Sequence, residues 1–204
     1  MALQRYYALN RYVFSLLDRK LPPYLSYHGV HHTLDVLETS LFYAGSEQIL
    51  DDHDILILKT AALIHDTGFF EQYQGHEEIS CHHASQWLPD FGYTDDEVNR
   101  VNLLIRATKV PQTPQDHLSQ ILCDADLDYL GRKDFSYISK QLFDEFSYIG
   151  VVHNEVEWLR LQFDFLSKHH YWTGSAKQLR EARKAAHLTD IEQRLHDLTP
   201  SSSS

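Results

Sequence analysis

The 204-residue chain carries 29 acidic and 18 basic residues, a formal net charge of −11 with histidine neutral. That balance argues against a general nucleic-acid binder or a binder of anionic membranes, both of which need a basic patch to neutralise phosphate. With 43% apolar residues, a chain of this length can bury a sizeable core, and a single domain over 1–199 with a disordered tail at 200–204 is expected.

A first helix is expected over about 3–19, stopped by Leu21-Pro22-Pro23. This start lacks a basic segment, an apolar stretch and a small-residue cleavage site, so it reads as part of the fold and not as a signal peptide. No apolar run approaches the roughly 18–20 residues that span a bilayer, and a cytoplasmic protein is the expectation. A second helix runs over about 31–44, with Leu34, Leu37, Leu41 and Ala44 at helical spacing and Gly45 beyond. A third, about 55–66, is apolar nearly all round, as a central buried helix would be. A fourth covers about 76–87 and stops at Leu88-Pro89.

The fifth opens on Thr94-Asp95-Asp96-Glu97, a capping-box pattern, and should bury Val98, Val101, Leu104 and Ile105. A sixth is expected from Thr113-Pro114 to Leu130, with proline tolerated in the first turn. Three more are expected near 134–148, 154–168 and 175–196. No segment alternates with period two between turn signals, so the predicted class is all-α, a single irregular helical bundle.

Histidine is the informative excess. Of 14, eight fall between His28 and His83, and metal binding is the commonest reason for such a concentration. Three elements carry the chemistry. In the first, His28 and His32 lie four apart around Gly29-Val30-His31, so on a helix entry they point to one side. In the second, the apolar Ala61-Ala62-Leu63-Ile64 is followed by His65-Asp66-Thr67-Gly68. An imidazole and a carboxylate buried there unpaired would cost several kcal/mol, so they require hydrogen bonds or a metal. In the third, Asp124, Asp126 and Asp128 alternate with Ala125 and Leu127. Two His and two Asp form a mixed N/O set suited to Mn²⁺, Fe²⁺, Co²⁺, Ni²⁺ or Zn²⁺, with Mg²⁺ compatible with the oxygen donors.

At these residues the chain resembles the HD-domain superfamily of metal-dependent phosphohydrolases. The elements read Tyr-His-x-x-x-His-x-x-x-Val, Ala-Ala-Leu-Ile-His-Asp-x-Gly and Asp-Ala-Asp-Leu, in the superfamily's order, between Tyr27 and Gly131. The resemblance implies an HD-type helical bundle with His32, His65, Asp66 and Asp126 as metal ligands. Asp126 is favoured over Asp124 by its Ala-Asp-Leu surroundings. His28 falls where similar cyclic-nucleotide phosphodiesterases place the histidine that protonates the leaving oxygen. Some branches recruit later histidines for a second ion, and His76 and His83, which share a helix face with Ser80, are the candidates here. Glu77 would support that ion or act as the base that orients water.

The implied activity is hydrolysis of a phosphoester of a nucleotide or cyclic nucleotide by a phosphodiesterase or nucleotidase, with metal-activated water as nucleophile. Lys109, Arg106 and Arg132 could contact substrate phosphate. Two other readings share the scaffold: a mixed-valence di-iron oxygenase drawing on His76, His82 and His83, and a non-catalytic signalling module that keeps its metal for folding. The remaining features have plain structural readings. His31 and His53 read as polar positions, Glu71 as a solvated loop acid or a residue that helps activate water, and His169-His170 as helix-end packing. The aromatics from Phe135 to Tyr148, with Trp158, Phe163 and Phe165, read as core or a homo-oligomer face. Cys81 and Cys123 read as buried reduced thiols.

Overall fold

Each chain segment that the sequence marks as periodic and apolar is helical in the computed structural model, which describes residues 2–199. The helices are Ala2–Lys20 (α1), Val30–Ser46 (α2), Asp52–Ile64 (α3), His76–Trp87 (α4), Asp95–Thr108 (α5), His117–Asp126 (α6), Phe135–Tyr148 (α7), Glu155–Lys168 (α8) and Gly174–Leu198 (α9). Short 3₁₀ turns follow α3 (Thr67–Phe70), α4 (Leu88–Phe91) and α6 (Asp128–Gly131), and the described residues contain no strand. None of the described helices is long and apolar enough to cross a membrane. The expected tail at 200–204 lies outside the described residues.

The sequence reading treats 1–199 as a single domain; by their internal contacts the helices fall into two compact units, one ending at Leu127 and one beginning at Asp128. In the first, α3 is the centre. Leu56, Ile57, Leu58, Ala61, Ala62, Leu63 and Ile64 are all buried, and α3 packs against α1, α2, α5 and α6. Asp51 caps it by accepting from the backbone N–H groups of His53 and Asp54. The capping box at Thr94 and Glu97 forms as the sequence predicts, and Val98, Val101, Leu104 and Ile105 are buried. Both cysteines are free and buried.

In the second unit, Asp128 is 1% exposed and accepts a hydrogen bond from Arg180 Nε at 2.7 Å. A Cβ on Gly131 would lie 2.5 Å from Arg180 Cβ and its carbonyl oxygen, so only glycine allows this approach to α9. Trp158 is buried on α8, while Tyr137 and Tyr148 of the aromatic segment stand out in solvent.

Three boundaries differ from expectation for physical reasons. α6 begins at His117, not near Thr113, because Asp116 forms its own capping box with Ser119; it ends at Asp126, and the expected run to Leu130 becomes a 3₁₀ turn. α3 ends at Ile64, so His65 is the cap and Asp66 already lies outside the helix, at φ −106° and ψ 5°. On α2 the buried face is His32, Thr33, Val36, Ser40, Tyr43 and Ala44. Leu34 and Leu41 are about 40% exposed, so two of the spaced leucines lie on the outer side, while Ala44 is buried as expected and the inner side also carries the polar His32, Thr33 and Ser40.

Candidate metal centre

His32 comes from the first turn of α2, His65 and Asp66 from the end of α3, and Asp126 from the last residue of α6. All three elements belong to the first unit, and their side chains converge. His32 Nε2 lies 3.2 Å from Asp66 Oδ2 and 3.2 Å from Asp126 Oδ1. His65 Nε2 lies 3.3 and 3.5 Å from the same two oxygens, and the two imidazole nitrogens are 3.3 Å apart. Donor atoms of His32, His65 and Asp66 all lie within 4.8 Å of one another. An ion bound at about 2.1 Å holds neighbouring donor atoms roughly 3.0–3.4 Å apart, so this spacing suits a small divalent cation.

Proton placement supports the same reading. His65 Nδ1 donates to the Ala62 carbonyl at 2.9 Å, which in the neutral ring leaves a lone pair on Nε2, the usual arrangement of a ligating histidine. Asp66 Oδ2 is fully buried and accepts no hydrogen bond. A carboxylate oxygen so placed would cost several kcal/mol unless a cation meets it.

The electrostatics show how strongly the cluster favours positive charge. Burial works against a charged His32, but Asp126 and Asp66 outweigh it and hold the imidazole up at about 9. Burial likewise opposes charge on His65, yet Asp66 and Asp126 hold it well above the ordinary value. Against their own burial, Asp66 is held well below the usual carboxylate range, chiefly by His65 and His32. Asp126 is held at about 2, chiefly by His32 and His65.

Asp66 faces two ways. Its Oδ1 lies 3.3 Å from His76 Nε2, and Glu77 Oε1 lies 3.8 Å from that same nitrogen. His76 Nδ1 donates to the Tyr73 carbonyl at 3.0 Å, the orientation already seen at His65. The donors available to a second ion are thus Asp66 Oδ1, His76 Nε2 and the buried carboxylate of Glu77. His28 stands just before α2, half-buried, its ring 5.6 Å from that of His32 and edge-on at 83°. Phe69 holds the neighbourhood together, its ring 4.4 Å from His28 and stacked at 3.9 Å on His76.

Other expected site residues have other partners or stand in solvent. His83 does not join the cluster; its nitrogens lie 3.0 Å from Thr67 Oγ1 and 3.0 Å from Glu71 Oε1. The reason is its place one helical turn beyond Ser80, opposite the 3₁₀ turn and not opposite Asp66. Lys109 is the exposed cap of α5. Arg106 is paired with Glu78 at 3.0 Å. Arg132, in the second unit, is paired with Asp134 at 2.7 Å. Asp124 is fully buried, and it is Asp126 that meets the imidazoles. Sequence reasoning did not single out Phe69, Tyr73 or Thr67; their nearness to Asp66 in the chain was the available signal.

No family model matches the chain, and no curated protein does. Among solved structures it is similar to a predicted HD superfamily hydrolase from an uncultured Thermotogales bacterium, with 24% identity over 92% of each chain and a TM-score of 0.60. The three elements on which the sequence resemblance rests therefore sit in a shared fold: the chain has the fold of that predicted HD superfamily hydrolase.

Proposed function

We propose that the protein is a metal-dependent phosphohydrolase acting on a phosphoester of a nucleotide or cyclic nucleotide. The observation that carries the reading is the convergence of His32 Nε2, His65 Nε2, Asp66 Oδ2 and Asp126 Oδ1, with Asp66 Oδ2 buried and accepting no hydrogen bond. These four would hold one divalent ion, and Asp66 Oδ1, His76 and Glu77 would hold a second. Such ions supply Lewis-acid polarisation of a phosphoryl oxygen and an acidified water.

The chain's own groups do the rest. His28, half-buried at the edge of the cluster, would donate a proton to the leaving oxygen. Phe69 packs on His28 and His76 and limits the swing of both rings. Glu77 is 8% exposed and accepts a proton from, or orients, the attacking water. Lys109, exposed and without a carboxylate partner among the described ion pairs, would contribute positive charge to substrate phosphate. The engagement of His83 with Thr67 and Glu71 favours this reading over a di-iron oxygenase, which needs further histidine ligands.

The test is metal content of the purified protein by inductively coupled plasma analysis, followed by a phosphoester panel with Mn²⁺, Fe²⁺, Co²⁺, Ni²⁺, Zn²⁺ and Mg²⁺. Stoichiometric metal and a hydrolytic rate lost in His65→Ala are expected. Absence of bound metal under all loading conditions would overturn the proposal.

A further inference from the structure

α4 turns three side chains to one side, at i, i+4 and i+7, and all three meet the segment that begins with Asp66. His76 meets Asp66 Oδ1. Ser80 Oγ accepts from the Gly68 N–H at 2.8 Å. His83 meets Thr67 Oγ1 with Nδ1 and Glu71 Oε1 with Nε2, each at 3.0 Å. One buried imidazole thus holds both ends of the 3₁₀ turn. Its plane is fixed by stacking on Trp87 at 4.6 Å and 9°.

The protons along this row are constrained. Thr67 has a single hydroxyl proton, and it donates to the Ile64 carbonyl at 3.0 Å. With the hydroxyl proton placed there, Thr67 Oγ1 accepts from His83 Nδ1–H. A neutral imidazole protonated on Nδ1 offers only a lone pair at Nε2, and that lone pair faces a carboxylate oxygen. Two acceptors so close repel unless a proton lies between them. The row of hydroxyl, imidazole and carboxylate is not a nucleophilic triad, because Thr67 is 1% exposed and no substrate reaches it.

We propose that His83 is a positioning residue that clamps the turn between Asp66 and His76, with a permanent jaw at Thr67 and a jaw at Glu71 that closes only around a shared proton. The charged groups facing His83 are Glu71 beyond the turn, His82 on α4 and Lys20 from α1. Burial, His82 and Lys20 oppose the proton and Glu71 favours it, with a net lowering from the ordinary value. The Glu71 jaw is therefore closed in acid and open at neutral and alkaline pH. Glu71 is 57% exposed, so its carboxylate leaves for water with little loss of packing. The jaw grips the end of the turn where the N–H groups of Glu71 and Gln72 donate to the Gly68 carbonyl at 3.0 and 3.2 Å. Beyond it lies Tyr73, whose carbonyl orients His76. That the clamp thereby orients a metal ligand rests on the function proposed above.

Nitrogen NMR of metal-free protein labelled with ¹⁵N-histidine decides the clamp by itself. The neutral form of His83 should carry its proton on Nδ1, and in Glu71→Gln its titration midpoint should fall by roughly one pH unit. Amide exchange at residues 71 and 72, corrected for its intrinsic pH dependence, should quicken roughly two- to tenfold from acid to alkaline pH in the wild type, the equivalent of one hydrogen bond. In Glu71→Gln the amide N–H reaches the Nε2 lone pair without an extra proton, so that protection should become independent of pH. An Nε2–H tautomer, or an unchanged midpoint in Glu71→Gln, would overturn the clamp. Mn²⁺ titration tests the link to the metal centre: folded His83→Asn should bind the ion about tenfold more weakly, and unchanged affinity would overturn that link. If the wild type binds no Mn²⁺, the metal proposal fails while the nitrogen spectra still decide the clamp.

Discussion

The charges at the centre set a pH dependence whose sign can be worked out residue by residue. His32 is raised on folding from 6.5 to about 9, so its contribution to stability is full below 6.5 and is lost as the pH rises through 9. Asp126 is lowered from 3.8 to about 2, so its contribution is full above 3.8 and is lost as the pH falls through 2. Metal-free protein should therefore be most stable between these two unfolded values. Thermal melts of chelator-treated protein check this, and a Tm that climbs from neutral pH toward pH 9 would contradict it. Bound metal takes imidazole in its neutral form, so the alkaline loss should vanish once Mn²⁺ is present. For the same reason Mn²⁺ uptake near neutral pH should release protons. Calorimetry in buffers of different ionisation enthalpy would show this, and heats independent of buffer would count against it. His65 and Asp66 were legible in the sequence because an apolar helix rarely ends on two adjacent ionisable groups without a purpose. Asp126 was legible only through its neighbours, since spacing alone does not say which of two carboxylates leaves the helix toward an imidazole.

The elements were read well where local chemistry decides them. The bounds of α4 and the capping box of α5 follow from proline, glycine and side-chain caps within a few residues. What α4 faces was not legible. Helical spacing placed His76, Ser80 and His83 on one side, but which of them reaches Asp66 depends on a 3₁₀ turn that no periodicity announces. Gly68 is the hinge of that arrangement. A Cβ there would lie 1.9 Å from the His76 carbonyl oxygen, backbone that cannot give way without moving the start of α4. Gly68→Ala should therefore cost about 1–3 kcal/mol and draw His76 away from Asp66. Any second-ion binding should weaken while the His32–His65–Asp66–Asp126 set still binds. Thr94→Ala is the control: it removes a helix cap whose partner is Glu97 and not this turn, for about 1 kcal/mol, and should leave metal uptake unchanged. Denaturant melts with Mn²⁺ titrations on both variants make the comparison, and equal metal binding in the two would show that Gly68 acts only on stability.

At the scale of the whole molecule, the net charge of −11 says little about the reaction, because the residues that matter are locally arranged. The proposed ion joins three helices whose ligands are far apart in sequence, from His32 to Asp126, yet all within the unit that ends at Leu127. An ion held by α2, the end of α3 and α6 binds only when these helices are docked, so it stabilises the docked state by mass action. At a free concentration one hundred times its Kd this amounts to about 2.7 kcal/mol, or close to a hundredfold slowing of any amide whose exchange requires the helices to separate. The buried stretch from Ile57 to Ile64 and the buried part of α6 around Ile121 and Leu122 should show that slowing. The exposed N-cap of α3 at Asp51 exchanges by local fraying and should not. Hydrogen exchange with and without saturating Mn²⁺ measures both. Slowing confined to α3 would mean that the ion rests on His65 and Asp66 without Asp126, whereas slowing in α3 and α6 together is what a ligand set closed across the two helices requires.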